Sequence, residues 1–466
     1  MVLTLNSLNS IWGSPFNKNR VALSSPLGSI CTDSRKILEG SFYVPLIGRQ
    51  YNGHCFIKQA RELGAQAAVV SRHWTGHIPE DFLHWKVEDT LEAFQQIALL
   101  YRVDLDIPVV AVTGSVGKTT TKELISEVLK PLGNIASSFG NNNNDIGVPM
   151  TLLKSKVADA AIVVEMGMRG LGEIHRLSLC AQPDIAVITN IGTAHIGCLG
   201  SRLNIAKAKC EITAFLKPKG VVIIPAKEQL LEETLRKSWN GRVIRVAIKE
   251  VLPTSSIPNN SRRLNDSDFI GSFDHETDLL EIEGQTLKLP LEGEHNVMNF
   301  MLALAVAKEL KISFREIQDI NIKSSPGRNY SFQLGGITIL DETYNASPES
   351  VNASMELLMS KPGRHFAVLG KMLELGEQSI RLHQYVAERA VTLGLDGLII
   401  FVKGPEGVAM KKVAKKIPFL KVVSTFEEAF EVLHSTLRPG DNLLLKASRG
   451  ALLERLLPYI HKAYSD

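Results

Sequence analysis

The chain has 466 residues, enough for about three domains of ordinary size. Hydrophobic residues make up 44% and charged residues 22%, the proportions of an ordinary globular protein. The 52 basic and 49 acidic residues leave a net charge of +3, which argues against a nucleic-acid tract or a polybasic membrane anchor.

The first 32 residues lack Asp and Glu, a faint transit-peptide feature, but only Lys18 and Arg20 are basic there. This stretch is expected to form the first strands and helix of domain one. A strand is expected at 41–46, a helix at 55–63 and a strand at 65–70 after a stop at Gly64. From Ile107 the rhythm changes. Apolar runs at 107–113, 160–166, 184–190 and 220–225 are each followed by a helical stretch, the pattern of a parallel sheet covered on both faces. Residues 251–290 are Ser/Asn-rich, then strand-like, and predict a small antiparallel addition. A second alternating series follows Pro326, with strands at 331–341, 365–370, 397–402 and 442–446 and no GxGxxG turn.

The expected architecture is α/β in three domains. A small α/β domain spans 1–100, a central phosphate-loop domain with a parallel sheet spans 101–324, and a Rossmann-like domain spans 325–466. The five cysteines (Cys31, Cys55, Cys180, Cys198 and Cys210) have no CxxC spacing and an odd count, which points to reduced thiols of a cytoplasmic protein. No apolar run approaches about 18 residues, so no membrane insertion is expected.

The sharpest motif is Thr113-Gly114-Ser115-Val116-Gly117-Lys118-Thr119-Thr120, after a strand and opening a helix. Glycines let backbone N–H groups turn toward phosphates, and the helix N-terminus adds partial positive charge. Lys118 is expected on the β- and γ-phosphates of ATP and Thr119 on Mg²⁺. The usual spacing would place a glycine at 112, where this chain has Val112. Glu165 ends one predicted strand and His195 follows the next, and ligands gather at such carboxyl ends. Mg²⁺ prefers oxygen, which makes Glu165 chemically natural and His195 less so.

The shortened loop TGSVGKT resembles the signature of the Mur ligases and folylpolyglutamate synthetases. GNNNNDIGVPMTLL (140–153), VVEMGMRGLGEIHRLS (163–178), NIGTAHIGCLGS (190–201), AKAKCEI (206–212), GEHNVMN (293–299), SPGRNY (325–330), LDETYNASPES (340–350) and VLGKMLELGE (368–377) follow in the order of the Mur ligase family. The resemblance implies an ATP-dependent, ADP-forming amide ligase of peptidoglycan synthesis. Glu165 and His195 would help hold a second Mg²⁺. Lys209 would be carbamylated and so become a metal ligand, with Lys207 the competing choice. Asn296, supported by Asn299, would lie near the adenine. Arg328 would reach the nucleotide from the third domain, Asp341 would face the ribose or phosphates, and Tyr344 and Asn345 would follow in the same site. Asp33, Ser34, Arg35 and Gly48 would contact the UDP part of the substrate.

The NNNNDIGVPMTLL and EMGMRGLGEIHRLS segments resemble the member that adds D-alanyl-D-alanine to a UDP-N-acetylmuramoyl-tripeptide; a monomer is expected. Lys371 stands where the family often has Asp, Gly197 where it often has Glu, and DETYNASP replaces DDSYNANP. These departures leave open a relative that adds a single amino acid. A nucleotide-switch ATPase is the rival of another class; it would not need the motifs beyond the phosphate loop.

Overall fold

The structure, a computed structural model, describes residues 3–17, 22–250, 267–317, 320–322 and 326–464. Lys18, Arg20, most of the Ser/Asn-rich stretch and the expected 324/325 boundary lie outside them.

The first sheet is parallel, in the order β1 (Ile30–Cys31), β2 (Phe42–Tyr43), β3 (Ala67–Ser71) and β4 (Leu83–Val87). A 3₁₀ turn at Leu5–Leu8 sends Leu5 and Leu8 into the core formed by Phe42, Val69, Leu83 and Trp85. The strand expected at 41–46 shortens to two residues; the Val44 amide still donates to the Cys31 carbonyl, and Pro45, which has no N–H to give a ladder, follows it. The helix Thr90–Asp104 is capped by Asp89, which accepts hydrogen bonds from the amides of Leu91 (2.7 Å) and Glu92 (3.3 Å). It ties the first unit to the second. Ala93, Phe94 and Ile97 pack in the first core and Ala98 in the second. The buried Arg102 donates to the carbonyls of Ala181 and Leu105, both at 2.8 Å, and to Asp184 at 2.8 Å.

The second sheet comprises β5 (Val109–Thr113), β6 (Ile135–Ser137), β7 (Ala161–Glu165), β8 (Ile185–Ile188), β9 (Val221–Pro225), β10 (Arg242–Glu250), β11 (Phe269–Asp274), β12 (Leu279–Ile282) and β13 (Gln285–Lys288). Their order is β13-β12-β11-β10-β9-β8-β5-β7-β6. β6 through β11 and β5 pair in parallel, and β11, β12 and β13 form the antiparallel addition. β5, β7, β8 and β9 are buried along their whole length, which is why they read as unbroken apolar runs.

The third sheet has the order β14 (Tyr330–Leu334), β15 (Ile337–Glu342), β19 (Asn442–Lys446), β16 (His365–Gly370), β17 (Gly397–Phe401) and β18 (Phe419–Val422). The run expected as one strand at 331–341 is a hairpin. It breaks at Gly335-Gly336, both in the left-handed region (φ 56° and 73°) that a tight hairpin turn requires. Four strands escaped the sequence reading: β4, β6, β10 and β18. β4 and β10 are interrupted by His or charged residues, and β6 and β18 are sheet edges and only partly buried, so their apolar signal is weak.

Candidate active site

β5 lies between β8 and β7, where the chain order of the strands reverses, so the carboxyl ends of all three open on one crevice. The phosphate loop leaves β5, Glu165 ends β7 in register with Val112, and the 189–195 segment leaves β8. The carboxyl ends of β15, β19 and β16 face the same space from the third unit. Together they enclose a cleft of about 1570 Å³ lined by Ser115–Thr120, Glu165, His195, Asn299, Arg328, Tyr344 and Asn345, among others.

The loop's shape depends on two glycines. Gly114 has φ 154°, and a Cβ there would sit 1.8 Å from Oγ1 of Thr189; Gly117 has φ 82°, and a Cβ would sit 2.6 Å from Oδ1 of Asn299. The 189–190 segment holds the loop from outside. Thr189 Oγ1 donates to the Val116 carbonyl at 2.5 Å, and Asn190 Oδ1 accepts from the Val116 amide at 3.0 Å. Lys118 folds back to donate to the carbonyls of Gly114 (2.8 Å) and Ser115 (3.2 Å). Burial pushes its pKa down, Glu165 pulls it up and Arg328 pushes it down again. A triphosphate would give this ammonium better partners than two carbonyls.

Thr119 donates to Glu165 at 2.7 Å, and the other oxygen of Glu165 accepts from Asn143 at 2.8 Å. A hydroxyl, a carboxylate and an amide thus meet beside the loop, a hard oxygen-rich donor set that suits Mg²⁺. His195 lies across the cleft with φ 66°, its Nδ1 against the carboxylate of Glu374. Among the described residues no group of three or more His, Cys, Asp and Glu forms a metal site. Any metal here therefore needs Thr119, the nucleotide or a modified Lys209 as well.

Lys209 is 1% exposed, and no hydrogen bond or ion pair reaches its ammonium among the described residues. Burial, and then the nearby Lys118, push its pKa well below the ordinary lysine value. A neutral buried amine is the form that reacts with CO₂. Lys207 instead lines a smaller cavity of about 400 Å³ on another side of its helix.

The third unit engages the loop directly. Arg328 donates to Thr119 Oγ1 and stacks 3.6 Å over the Tyr344 ring, and Asn329 donates to Thr120 at 3.1 Å. Two expected nucleotide residues lie behind the cleft wall instead of on it. Asp341 is 1% exposed, with its oxygens taken by the Gly327 amide (2.8 Å) and by Thr343 (2.7 Å to the hydroxyl). It shapes the turn that presents Arg328, and its neighbour Glu342 lines the cleft. Asn296 is likewise buried, accepts from Asn299 at 3.1 Å, and reaches the loop through Asn299.

Asp33, Ser34, Arg35 and Gly48 lie apart, in the first unit. Arg35 is 82% exposed in its side chain and pairs with Asp33 at 2.8 Å; Ser34 donates to Gln59 at 3.0 Å; the Gly48 amide donates to the Tyr51 carbonyl at 2.8 Å. None of them lines the cleft. Sequence reasoning missed Asn143, Asn190, Asn329, Glu349 and Glu374. Each sits inside a motif quoted above, but polar residues in loops carry no periodicity that would single them out.

A phosphate loop facing a second α/β unit across a shared cleft marks a nucleotide-using enzyme of three units, and the family matches make it an ATP-dependent ligase. The Mur ligase middle domain matches residues 112–307, and the Mur ligase, glutamate ligase domain matches residues 328–449. A UDP-N-acetylmuramoyl-tripeptide–D-alanyl-D-alanine ligase of Synechocystis is 40% identical over 438 residues, covering 92% of each chain. The structure of MurF from Acinetobacter baumannii superposes with a TM-score of 0.85 at 28% identity, covering 99% of each chain. MurF ligase from Thermotoga maritima, solved with ADP, gives 0.78 at 28% identity, covering 93% of this chain and 97% of that one. The chain belongs to the Mur ligase family.

Proposed function

We infer that the protein joins D-alanyl-D-alanine to UDP-N-acetylmuramoyl-tripeptide with conversion of ATP to ADP and phosphate. The observation that carries the chemistry is the meeting of phosphate loop, Glu165 and Arg328 from two units at one cleft. Likeness over 92% of each chain to a ligase of that name carries the choice of substrates.

Amide formation from a carboxylate is uphill until an oxygen becomes a good leaving group. The tripeptide carboxylate attacks the γ-phosphate of ATP, giving an acyl phosphate and ADP. The amine of the dipeptide attacks that carbonyl through a tetrahedral intermediate and phosphate leaves. Lys118 turns from the loop carbonyls to the phosphates, and the amides of residues 117–120, at the start of the helix, orient them. Such fixed charge and positioning carry most of phosphoryl transfer. Thr119, Glu165, His195 and carbamylated Lys209 are the groups that would hold Mg²⁺, which when bound neutralises phosphate charge. Arg328, steadied by Tyr344, closes the site against water, which would hydrolyse the acyl phosphate.

The first domain (1–100) binds the UDP part through Asp33, Ser34, Arg35 and Gly48, and the third (325–466) takes the dipeptide. A monomer suffices, since one chain supplies every group. No helix among the described residues is long and apolar enough to cross a membrane, and the protein acts in the cytoplasm, where its substrates are soluble.

Phosphate release, measured with each substrate omitted in turn, tests this reading. It should require both ATP and the UDP-tripeptide and be stimulated by the dipeptide. Equal release with ATP alone would mark a plain ATPase. Stimulation by a single amino acid and not by the dipeptide would mark a neighbouring ligase.

A further inference from the structure

The segment between β8 and the next helix, which carries His195, is gripped by the third unit at three points. Glu349 accepts from the amide (2.7 Å) and hydroxyl (2.9 Å) of Thr193. The Gly197 amide donates to the Glu374 carbonyl at 2.9 Å. The Glu374 carboxylate lies against His195 Nδ1 and within 3.5 Å of the Arg169 guanidinium. Contact with His195 outweighs burial, which acts in the opposite sense, and with Arg169 holds the Glu374 pKa below the usual carboxylate value.

This close approach is built into both backbones. His195 and Glu374, neither of them glycine, have φ of 66° and 62°, a costly conformation that persists only where the surroundings enforce it. A Cβ on Gly197 would lie 2.4 Å from the Gly376 nitrogen and 2.8 Å from the Glu374 carbonyl oxygen. Position 197 therefore has no room for a side chain while the units are docked.

The loop that presents Glu374 is braced from its own side. Lys371 pairs with the buried Glu406 at 3.0 Å. The Met372 amide donates to His383 at 2.9 Å, and the Leu373 amide donates to Ser448 at 2.9 Å. Lys371 and Gly197, two departures from the family pattern, thus belong to one assembly.

We propose that Glu374 is a positioning residue for His195, delivered across the domain interface by the Lys371–Gly376 loop, and that side-chain-free Gly197 is what permits the delivery. A histidine that binds a metal or phosphate through one ring nitrogen is commonly fixed by a carboxylate on the other. With Glu374 at Nδ1, His195 is left with Nε2 for the cleft. Because the carboxylate comes from another unit, the histidine is set only when the third unit is docked. Catalytic competence is thereby tied to closure. The inference rests on the ligase reading only in placing His195 at the reacting phosphates.

The test uses the full-length protein with Glu374→Ala, Glu374→Gln and Gly197→Ala. Small-angle scattering without nucleotide reads docking independently of any activity. Gly197→Ala and Glu374→Ala should both give a larger radius of gyration than the unsubstituted chain. Steady-state kinetics should show kcat lowered about 10–100-fold in Glu374→Ala, the usual effect of losing such a carboxylate. The ATP KM should change far less, and Glu374→Gln should recover part of kcat. Unchanged scattering in both Ala variants, or wild-type kcat in Glu374→Ala, would overturn the proposal. An unsubstituted protein without dipeptide-stimulated turnover would instead remove the ligase reading, leaving the scattering comparison intact.

Discussion

The cleft around the phosphate loop and the Asp33–Gly48 region of the first unit are both rich in motif residues, yet they are built differently. In the cleft, Thr119, Glu165, Asn143, Arg328 and Asn329 bond to partners tens to hundreds of residues away, across two units. In the first unit, Arg35 pairs with Asp33 two residues away and the Gly48 turn closes on Tyr51, three residues on. The first arrangement joins the strand ends of two units and holds while they are docked. The second is satisfied locally and can exchange those local bonds for ligand. Substitutions in the cleft should therefore lower turnover, and substitutions in the first unit should mainly weaken binding.

The largest effect is expected at Lys118. Lys118→Ala should lower ADP formation by at least about 10²–10³, as loss of one fixed electrostatic group does, with an unchanged thermal midpoint. Near-normal turnover would dissolve the contrast between the two regions. Next, Lys209→Ala should lose most activity and regain part of it with a short carboxylic acid in the buffer, which can sit where a carbamate would. An unmodified Lys209 in the fully active protein, seen by mass spectrometry under conditions that preserve carbamates, would refute this. Arg35→Ala should raise the KM for the UDP-tripeptide roughly 10-fold or more, the worth of a charged hydrogen bond, while kcat stays close to wild type. A kcat loss as large as that of Lys118→Ala would mean that the first unit shares in the chemistry.

The smallest effect is read as stability. Burial would raise the Glu406 pKa, but its own amide, Lys371 and Ser379 hold it down to about 2, against an ordinary 4.5. A carboxyl depressed on folding stabilises fully above its unfolded pKa, and that contribution is lost as pH falls through the folded value. Glu406→Gln should thus cost roughly 1–3 kcal/mol at pH 7, and its deficit against wild type should shrink between about 4.5 and 2. Denaturant titrations at pH 7 and pH 3 check this.

What was legible in the sequence follows the same division. The buried parallel strands and the phosphate loop could be read directly, because full burial leaves an unbroken apolar run and the loop needs glycines where Gly114 and Gly117 stand. The edge strands β6 and β18 were not, since half-exposed strands of three or four residues look like loop. Asp341 and Asn296 were located by motif and expected on the nucleotide. A motif does not reveal whether a side chain faces the cleft or braces the residue that does, and here each supports a neighbour. The grip of Glu349 and Glu374 on the His195 segment was invisible, because it joins positions 156 and 179 residues apart by tertiary geometry alone.

The central claim is that a substrate carboxylate becomes an acyl phosphate before the amide forms. The direct measurement is oxygen transfer from UDP-tripeptide carrying ¹⁸O in its terminal carboxylate, turned over with ATP and D-alanyl-D-alanine. The account predicts one ¹⁸O atom in each phosphate released, because the oxygen that attacked the γ-phosphate leaves with it. Phosphate free of label, alongside normal amide formation, would contradict it.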